Sequence, residues 1–422
     1  MFWFDFSWEI QHILNQFWWP IQFALLALAV TIGFLSYKKP AYAVSLTILM
    51  LPTYLFRSSI YFLPFTFLEV CIWALFIGYF WGMIKRKEIR RQKLTAYRPQ
   101  IFFILLASTI SIFIAPNLTV AAGLWKAYFI EPILFFAILI NVVKDKKNKE
   151  AILWSLGLSA VIISVVAIYQ KFTGWGIFEP GWTGSENRRV TSLFTSPNAV
   201  GLFLAPIMTI YLGWLISEIK NLKKSLLKIF IIILALLAIT FTVSQGTWLG
   251  LLAAVIFMAF FGWNKKATSA VVVLGIVLIL ILPAIREKIW PIITLQDASG
   301  QNRLELWSLA SDSLFQNPIV GNGLLGFATI QNVNRDPLKI EPLLYPHNII
   351  LNFWTEIGIL GTVAFAWLIA KFFRRGFKES NNKWLTLGVM AAMVTILTHG
   401  LIDVPYFKND LAILFWIVIA LI

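Results

Sequence analysis

The sequence predicts an all-α polytopic membrane protein of about twelve to thirteen transmembrane helices, and three observations carry that expectation. First, 59% of the 422 residues are hydrophobic, only 13% are charged, and the mean hydropathy is +0.78; a soluble domain carries about 25% charged residues. Second, apolar runs near the length of a membrane span recur, among them Ala41–Phe56, Phe65–Ile84, Ala151–Tyr169 and Thr268–Pro283. A span needs roughly 20 apolar residues, and in lipid its backbone must satisfy its own hydrogen bonds, so such runs read as helices. Third, 24 of the 35 Lys and Arg residues fall in six clusters: Lys38–Lys39, Lys85–Arg98, Lys144–Lys149, Lys220–Lys228, Lys265–Lys266 and Lys371–Lys383. One apolar hairpin, out and back, separates each cluster from the next, which puts all six on one face, expected to be cytoplasmic. The net charge of +15 is thereby read as topology rather than as nucleic-acid binding.

In chain order, residues 1–19 come first. Trp3, Phe4, Phe6, Trp8, Ile10, Ile13, Phe17 and Trp18 read as an aromatic belt at the membrane interface. The segment lacks a basic n-region, which argues against a cleaved signal peptide. Spans follow at roughly 20–37, 40–56, 65–84, 101–116, 118–142, 151–170, 198–217, 229–244, 247–263, 267–284, 348–370, 384–401 and 409–422, within a single membrane domain over 1–422. The runs at 40–56 and 409–422 are the short ones. Two connections exceed the rest, 171–197 and 285–347, and both face outward under this topology. Long loops without linker composition tend to be functional. The one cysteine, Cys71, lies inside a span, so the chain forms no internal disulfide and no cysteine metal cluster.

The outer loops hold the residues that could carry chemistry. The longer one ends in Tyr345-Pro346-His347-Asn348, directly before a helix, which places His347 at the membrane surface. At about 100° per residue, Gly358 and Gly361 fall near the stripe below His347 and Glu356 falls opposite. That pattern suits a glycine-floored groove for a lipid chain or a neighbouring helix, or equally a packing groove under an interfacial histidine. Leu304, Trp307, Ala310, Leu314 and Phe315 have the spacing of an amphipathic helix lying on the outer leaflet. Arg303 stands at its start, where a surface or headgroup-binding arginine is the commoner reading. The shorter loop carries Arg188-Arg189, against the charge bias of that face; the pair suits either a diphosphate held by planar donor forks or ordinary headgroup binding. Lys126 and Glu131 lie inside a span, where ionisable residues are costly. Five residues apart they do not face one another on an α-helix, so each is expected to pair with another helix, structurally first and as a substrate contact second.

Several patterns are missing. The sequence has no Asp-x-Asp pair for a metal-bound nucleotide sugar, no GxxxxGK[ST] phosphate loop and no His-x-x-x-His site. Its three histidines are His12, His347 and His399. No metal and no cofactor is therefore expected.

The run His347-Asn348-x9-Gly358-x-x-Gly361 resembles the signature of the O-antigen ligase and O-antigen polymerase superfamily. So do Arg303–Trp307 with Asn317-Pro318 and Gly321-Asn322-Gly323, Arg189 to Asn198, Leu124-Trp125-Lys126 to Glu131-Pro132, and His399-Gly400-Leu401-Ile402-Asp403. Together these features extend from about residue 117 to 405. The resemblance implies a fold like that of the C-type glycosyltransferases. It implies transfer of a glycan from a polyprenyl diphosphate carrier, such as undecaprenyl diphosphate, to a glycan, lipid or protein acceptor. The reaction would run without metal at the outer face of the cytoplasmic membrane, in lipopolysaccharide or other cell-envelope polysaccharide biosynthesis. One departure stands out. Ser244-Gln245-Gly246 lies where family members often carry Ser-Arg-Gly, which would leave more of the diphosphate to Arg188, Arg189 or Arg303.

A mechanism fitting these residues uses His347 as base for the acceptor hydroxyl and the arginines to stabilise the leaving diphosphate, with inversion at the anomeric centre. Asn348, Gly358, Gly361, Lys126, Glu131, His399 and Asp403 would support the site. Three other readings remain: a polymerase or protein O-oligosaccharyltransferase of the same family, a polyprenyl-glycan flippase or transporter, and, given Gln245, an inactive homologue with a scaffolding role. A transporter usually gathers polar groups at mid-membrane in repeated halves. This chain shows no repeat and concentrates its unusual polar residues in the outer loops, which favours an enzyme.

Overall fold

The computed structural model describes residues 3–4, 17–60, 63–87, 96–177, 179–220, 222–281, 287, 290–291, 294–334, 343–379 and 382–422. His12 and most of the expected aromatic belt lie outside the described residues. Helix α1 (Trp18–Lys38) leads into α2 (Pro40–Leu49). Then come α3 (Phe67–Arg86), α4 (Arg98–Ile114), α5 (Leu118–Trp125) and α6 (Glu131–Val142). The long α7 (Lys146–Thr173) precedes α8 (Pro197–Ser217), α9 (Leu222–Thr242), α10 (Gln245–Gly262) and α11 (Lys265–Ile281). The long connection after α11 supplies α12 (Ala298–Gln316) and α13 (Gly326–Asn334), and α14 (Ile349–Gly376), α15 (Lys383–Gly400) and α16 (Asn409–Ala420) complete the chain.

The helix starts are written locally. Thr66, Asn117, Asp145, Ser196, Asp297, Asn348 and Asn382 each accept a hydrogen bond from a backbone N–H two or three residues on. These are the short polar side chains that satisfy the orphan donors of a first turn. Among the described residues, eight helical stretches are long and apolar enough to cross a membrane: α1, α3, α5 through α6, α7, α8, α9, α10 and α14. The expected class, an all-α polytopic membrane protein, stands. Helix α8 runs through the centre, with 83% of its apolar window buried, against α15, α9 and α10.

The two short runs differ from the spans expected of them. The 40–56 run forms a helix of only 10 residues, followed by a 3-10 turn at Leu51–Leu55. Pro52 has no N–H to continue the ladder. The chain then enters a small antiparallel sheet of β1 (Trp3–Phe4), β2 (Phe56–Ile60) and β3 (Leu63–Thr66), with Trp3 opposite Arg57 and Ser59 opposite Pro64. Pro64 is tolerated because β3 is an edge strand. The 409–422 run gives the 12-residue α16, buried from Asp410 to Ile419 inside the bundle.

Between α5 and α6 the helix widens to a π turn at Lys126–Ile130, where the Glu131 N–H bonds the Lys126 carbonyl. Pro132 is the cause. It lacks the N–H that Tyr128's carbonyl would accept, and its ring crowds that carbonyl. The Tyr406 hydroxyl donates to the freed Tyr128 oxygen instead, at 2.9 Å. The wider turn corrects the expectation that Lys126 and Glu131 do not face each other. Lys126 Nζ lies 3.8 Å from Glu131 Oε1 and 2.5 Å from Glu69 Oε2 of α3. Trp73 donates to Glu131 at 2.8 Å and Asn409 to Glu69 at 2.7 Å, completing the network.

Helix α14 is broken. Ile357 (φ −131°, ψ 18°) and Gly358 (φ 69°, ψ −178°) leave the helical region. The 317–325 segment docks into the break: Asn322 N–H donates to Thr355 O (2.7 Å), Ile359 N–H to Ile319 O (3.0 Å), and Trp354 Nε1 to Pro318 O (2.6 Å). Glu356 Oε2 accepts from Leu325 N–H at 2.5 Å, and Ser111 Oγ donates to the Glu356 carbonyl. A Cβ on Gly358 would lie 2.4 Å from Ile319 O, and one on Gly361 would meet the Ile357 side chain. The two glycines thus do not floor a groove for lipid: the chain's own loop and Ile357 occupy those positions.

Gly358→Ala is expected to destabilise by about 3 kcal/mol or more. It combines a backbone region open essentially to glycine alone with a backbone clash. The readout is the apparent melting temperature in detergent. A variant melting with wild type would mean the break can close or shift at little cost.

Candidate functional site

Side chains far apart in sequence converge at the end of the bundle where α14 begins. Asp403, in the turn after α15, is buried and stands at the centre. Its Oδ1 lies 3.4 Å from His347 Nδ1 and accepts from Val404 N–H at 2.8 Å. Its Oδ2 accepts from Asn198 Nδ2 at 2.9 Å and lies 3.7 Å from His399 Nε2. Burial alone would push the Asp403 carboxyl up. The His347 and His399 imidazoles, the Val404 N–H and Lys408 outweigh it and hold the carboxyl below the usual carboxylate range.

His347 keeps 24% of its side chain exposed, against 7% for Asp403 and 2% for His399. Of these two histidines, His347 is therefore the accessible one. Its backbone sits at φ +50°, an uncommon conformation for a non-glycine residue. Asn348 fixes the next position. Its Oδ1 caps α14 by accepting from Ile350 and Leu351 N–H at 3.0 and 3.1 Å, and its Nδ2 donates to Leu401 O at 3.0 Å. His347 is thus held between a helix start and the Asp403 turn.

Arg303 belongs to the same centre. The sequence favours a surface arginine; instead Arg303 is 9% exposed, on the buried face of α12, and its Nε donates to Ile402 O at 2.9 Å. The α12 pattern is partly inverted for the same reason. Leu306, Ala310 and Leu314 are buried, while Leu304 and Phe315 are exposed, because the helix packs on Phe327 and Leu351 as well as facing outward.

The two adjacent arginines separate. Arg188 is committed to its own loop, donating to Thr183 O and Lys171 O at 2.9 Å each. Arg189 lies 5.8 Å over the Trp182 ring and donates through Nε to Thr242 O at 3.0 Å, at the junction of α9 and α10. That junction carries Ser244-Gln245-Gly246. A Cβ on Gly246 would lie 2.7 Å from His399 Nε2, so glycine is needed for α10 to approach His399 so closely. Lys126 and Glu131 stand in their own network with Glu69, which Asn409, just after the site's turn, joins through its bond to Glu69.

Asn198 has no role in the sequence reading beyond the family resemblance. Its local signal is the Ser196 cap and Pro197 at the first helical position, which set Asn198 at the end of α8 facing Asp403.

Residues 230–366 match the family model described as O-antigen ligase. That stretch contains Arg303, His347, Gly358 and Gly361; Asn198, His399 and Asp403 lie outside it. A candidate polysaccharide ligase of Rickettsia conorii is 25% identical over 169 residues, 36% of this chain and 40% of the relative. Candidate polysaccharide ligases of Rickettsia typhi and Rickettsia felis are each 32% identical over shorter stretches, 20% of this chain and 21% and 22% of theirs. The matched part of the chain thus spans less than half the length of these relatives. The chain thus joins a bundle of membrane-length apolar helices to a stretch, residues 230–366, that is similar to the O-antigen ligase family.

Proposed function

We propose that this chain is a glycosyltransferase that moves a glycan from a polyprenyl diphosphate carrier to an acceptor hydroxyl, without a metal and with inversion. The observation that carries the reading is the meeting of His347, Asp403 and Arg303 at one end of a membrane bundle. In this mechanism His347 Nδ1–H faces Asp403, and Nε2 takes the proton of the acceptor hydroxyl. The acceptor oxygen forms a bond to the anomeric carbon as the bond to the diphosphate oxygen breaks. The diphosphate leaves with the electron pair, and its growing charge is met by the Arg303 guanidinium, whose plane is set through Ile402 O. Asp403 stabilises the imidazolium that results. Arg189, at the α9–α10 junction beside Gln245, is the second cation of this reading. Arg188 is a loop anchor.

The test is single-turnover transfer by purified protein from a polyprenyl-diphosphate glycan to candidate glycan, lipid and protein acceptors. Product formation is expected, and Arg303→Lys should reduce it about 10- to 100-fold, since the charge stays and the fork is lost. Full activity of Arg303→Lys with unchanged donor affinity would remove Arg303 from the diphosphate site.

The same reading places the centre outside the cytoplasmic membrane and the six basic clusters inside. In a Cys71→Ser background, an impermeant thiol reagent should label Glu305→Cys in intact cells. Lys378→Cys should react only after permeabilisation. The reverse pattern would invert the topology.

A further inference from the structure

At the end of the bundle opposite His347, a cavity of about 300 Å³ opens where α1 meets α2, α3 ends and α6 meets α7. Lys39, Arg86 and Lys144 reach it from those three places. Asp145 is the only acid among the described residues of the lining, and its carboxylate is engaged: Oδ1 accepts from Asn148 N–H at 2.8 Å and Oδ2 from Asn148 Nδ2 at 2.9 Å, capping α7. Among the described residues, the lining therefore holds three basic side chains and a single carboxylate, already engaged in a helix cap. Arg86 is fixed in place by its Nη1 bond to Tyr37 O at 2.8 Å.

We propose that this cavity binds the phosphate of an anionic phospholipid headgroup. A phosphate suits three cations converging from separate elements. A zwitterionic headgroup would bring an ammonium into a lining whose one carboxylate among the described residues is already bonded. The surroundings favour a lipid over a soluble anion. Phe34 of α1 and Trp81 of α3, 61% and 55% exposed, stand four and five residues before the helix ends that lead to Lys39 and carry Arg86, and offer apolar surface to acyl chains. Tyr42 stands at the rim, 56% exposed with Lys39 Nζ 5.8 Å from its ring centre. No step of the transfer reaction depends on this site.

The experiment is thermal unfolding of the full chain in detergent, titrated with short-chain phosphatidylglycerol, phosphatidylcholine or inorganic phosphate. Phosphatidylglycerol alone is expected to raise the melting temperature in a saturable way. Lys39→Gln with Lys144→Gln should weaken that response about thirty-fold, about five-fold for each lysine, while melting with wild type in lipid-free detergent. Should the double variant fail to fold, wild-type protein is cross-linked with a photoactivatable phosphatidylglycerol, which should label peptides within 37–42 and 141–148. Equal shifts from phosphatidylcholine, a shift reproduced by phosphate alone, an undiminished response of a folded double variant, or cross-links only elsewhere would each overturn the proposal.

Discussion

His347→Gln should lower single-turnover glycan transfer by about 100- to 10,000-fold, the usual worth of a general base. Glutamine keeps the size of the side chain and a hydrogen-bonding group, but it cannot take a proton from the acceptor hydroxyl. The side chain is partly exposed, and Asn348 caps α14 independently of it. The variant is therefore expected to fold and to bind donor as wild type does. Its backbone also argues for function. A histidine at φ +50° is held there by its neighbours, Asn348 bonded to Leu401 and the Asp403 contact, and such strain concentrates at functional sites. Protonation of the imidazole removes a base, so wild-type transfer should fall on acidification, and the residual rate of the variant should not. A variant that keeps both rate and pH profile would make His347 a positioning residue. His399 offers a contrast. Its side chain is buried between Gly246 and Asp403, where α10 packs on the turn.

The membrane bundle was readable because lipid imposes one rule on every span: the backbone must bond within its own segment. Length and apolar content then suffice, and the helix caps at Thr66, Ser196 and Asn348 mark starts that local chemistry dictates. What could not be read were features set by distant partners. The periodicity of 348–370 runs unbroken through Ile357, so nothing local announces the break at Gly358; its carbonyl and N–H partners come from residues 319 and 322. The π turn was readable in principle, since Pro132 removes the donor for Tyr128 O, but its acceptor's rescue comes from Tyr406, far along the chain. The small sheet was missed because Arg57–Ile60 is too short and mixed to stand out between apolar helices.

The site divides along the same line. His347 and Arg303 were visible as residues next to loop ends and family-like segments. Their burial and spacing were not, because a surface prior for Arg303 fails when α12 packs inward on Phe327. Asp403 was a supporting residue by resemblance alone. Its centrality depends on three segments, around 198, 347 and 399–403, meeting at one carboxylate. The Arg188-Arg189 pair looked like one feature in sequence, but adjacent side chains point apart in the loop, one into its own turn and one to α9.

Asp403→Asn is the second substitution expected to act strongly, and it separates orientation from proton transfer. Both Asp403 oxygens accept: Oδ1 from Val404 N–H, Oδ2 from Asn198 Nδ2, with an imidazole nitrogen beside each. An asparagine has one accepting oxygen, so its NH2 must face either the Val404 or the Asn198 donor, and one bond is lost. It also removes the charge that stabilises the His347 imidazolium. A loss of transfer on the order of 100-fold or more is expected, as for other carboxylates that orient a catalytic histidine. If the two residues act as a unit, Asp403→Asn should add little on a His347→Gln background, and the double-mutant cycle should show strong coupling. Stability carries a second signature. The folded carboxyl is held below its ordinary range, so its contribution is present above the ordinary carboxylate pKa. It is lost as pH falls through the folded value, in the window below about pH 4. Asp403→Asn should lower the melting temperature at neutral pH and flatten its decline in that acid window. Additive losses in the cycle, or an acid-unfolding profile identical to wild type, would place Asp403 outside the His347 mechanism.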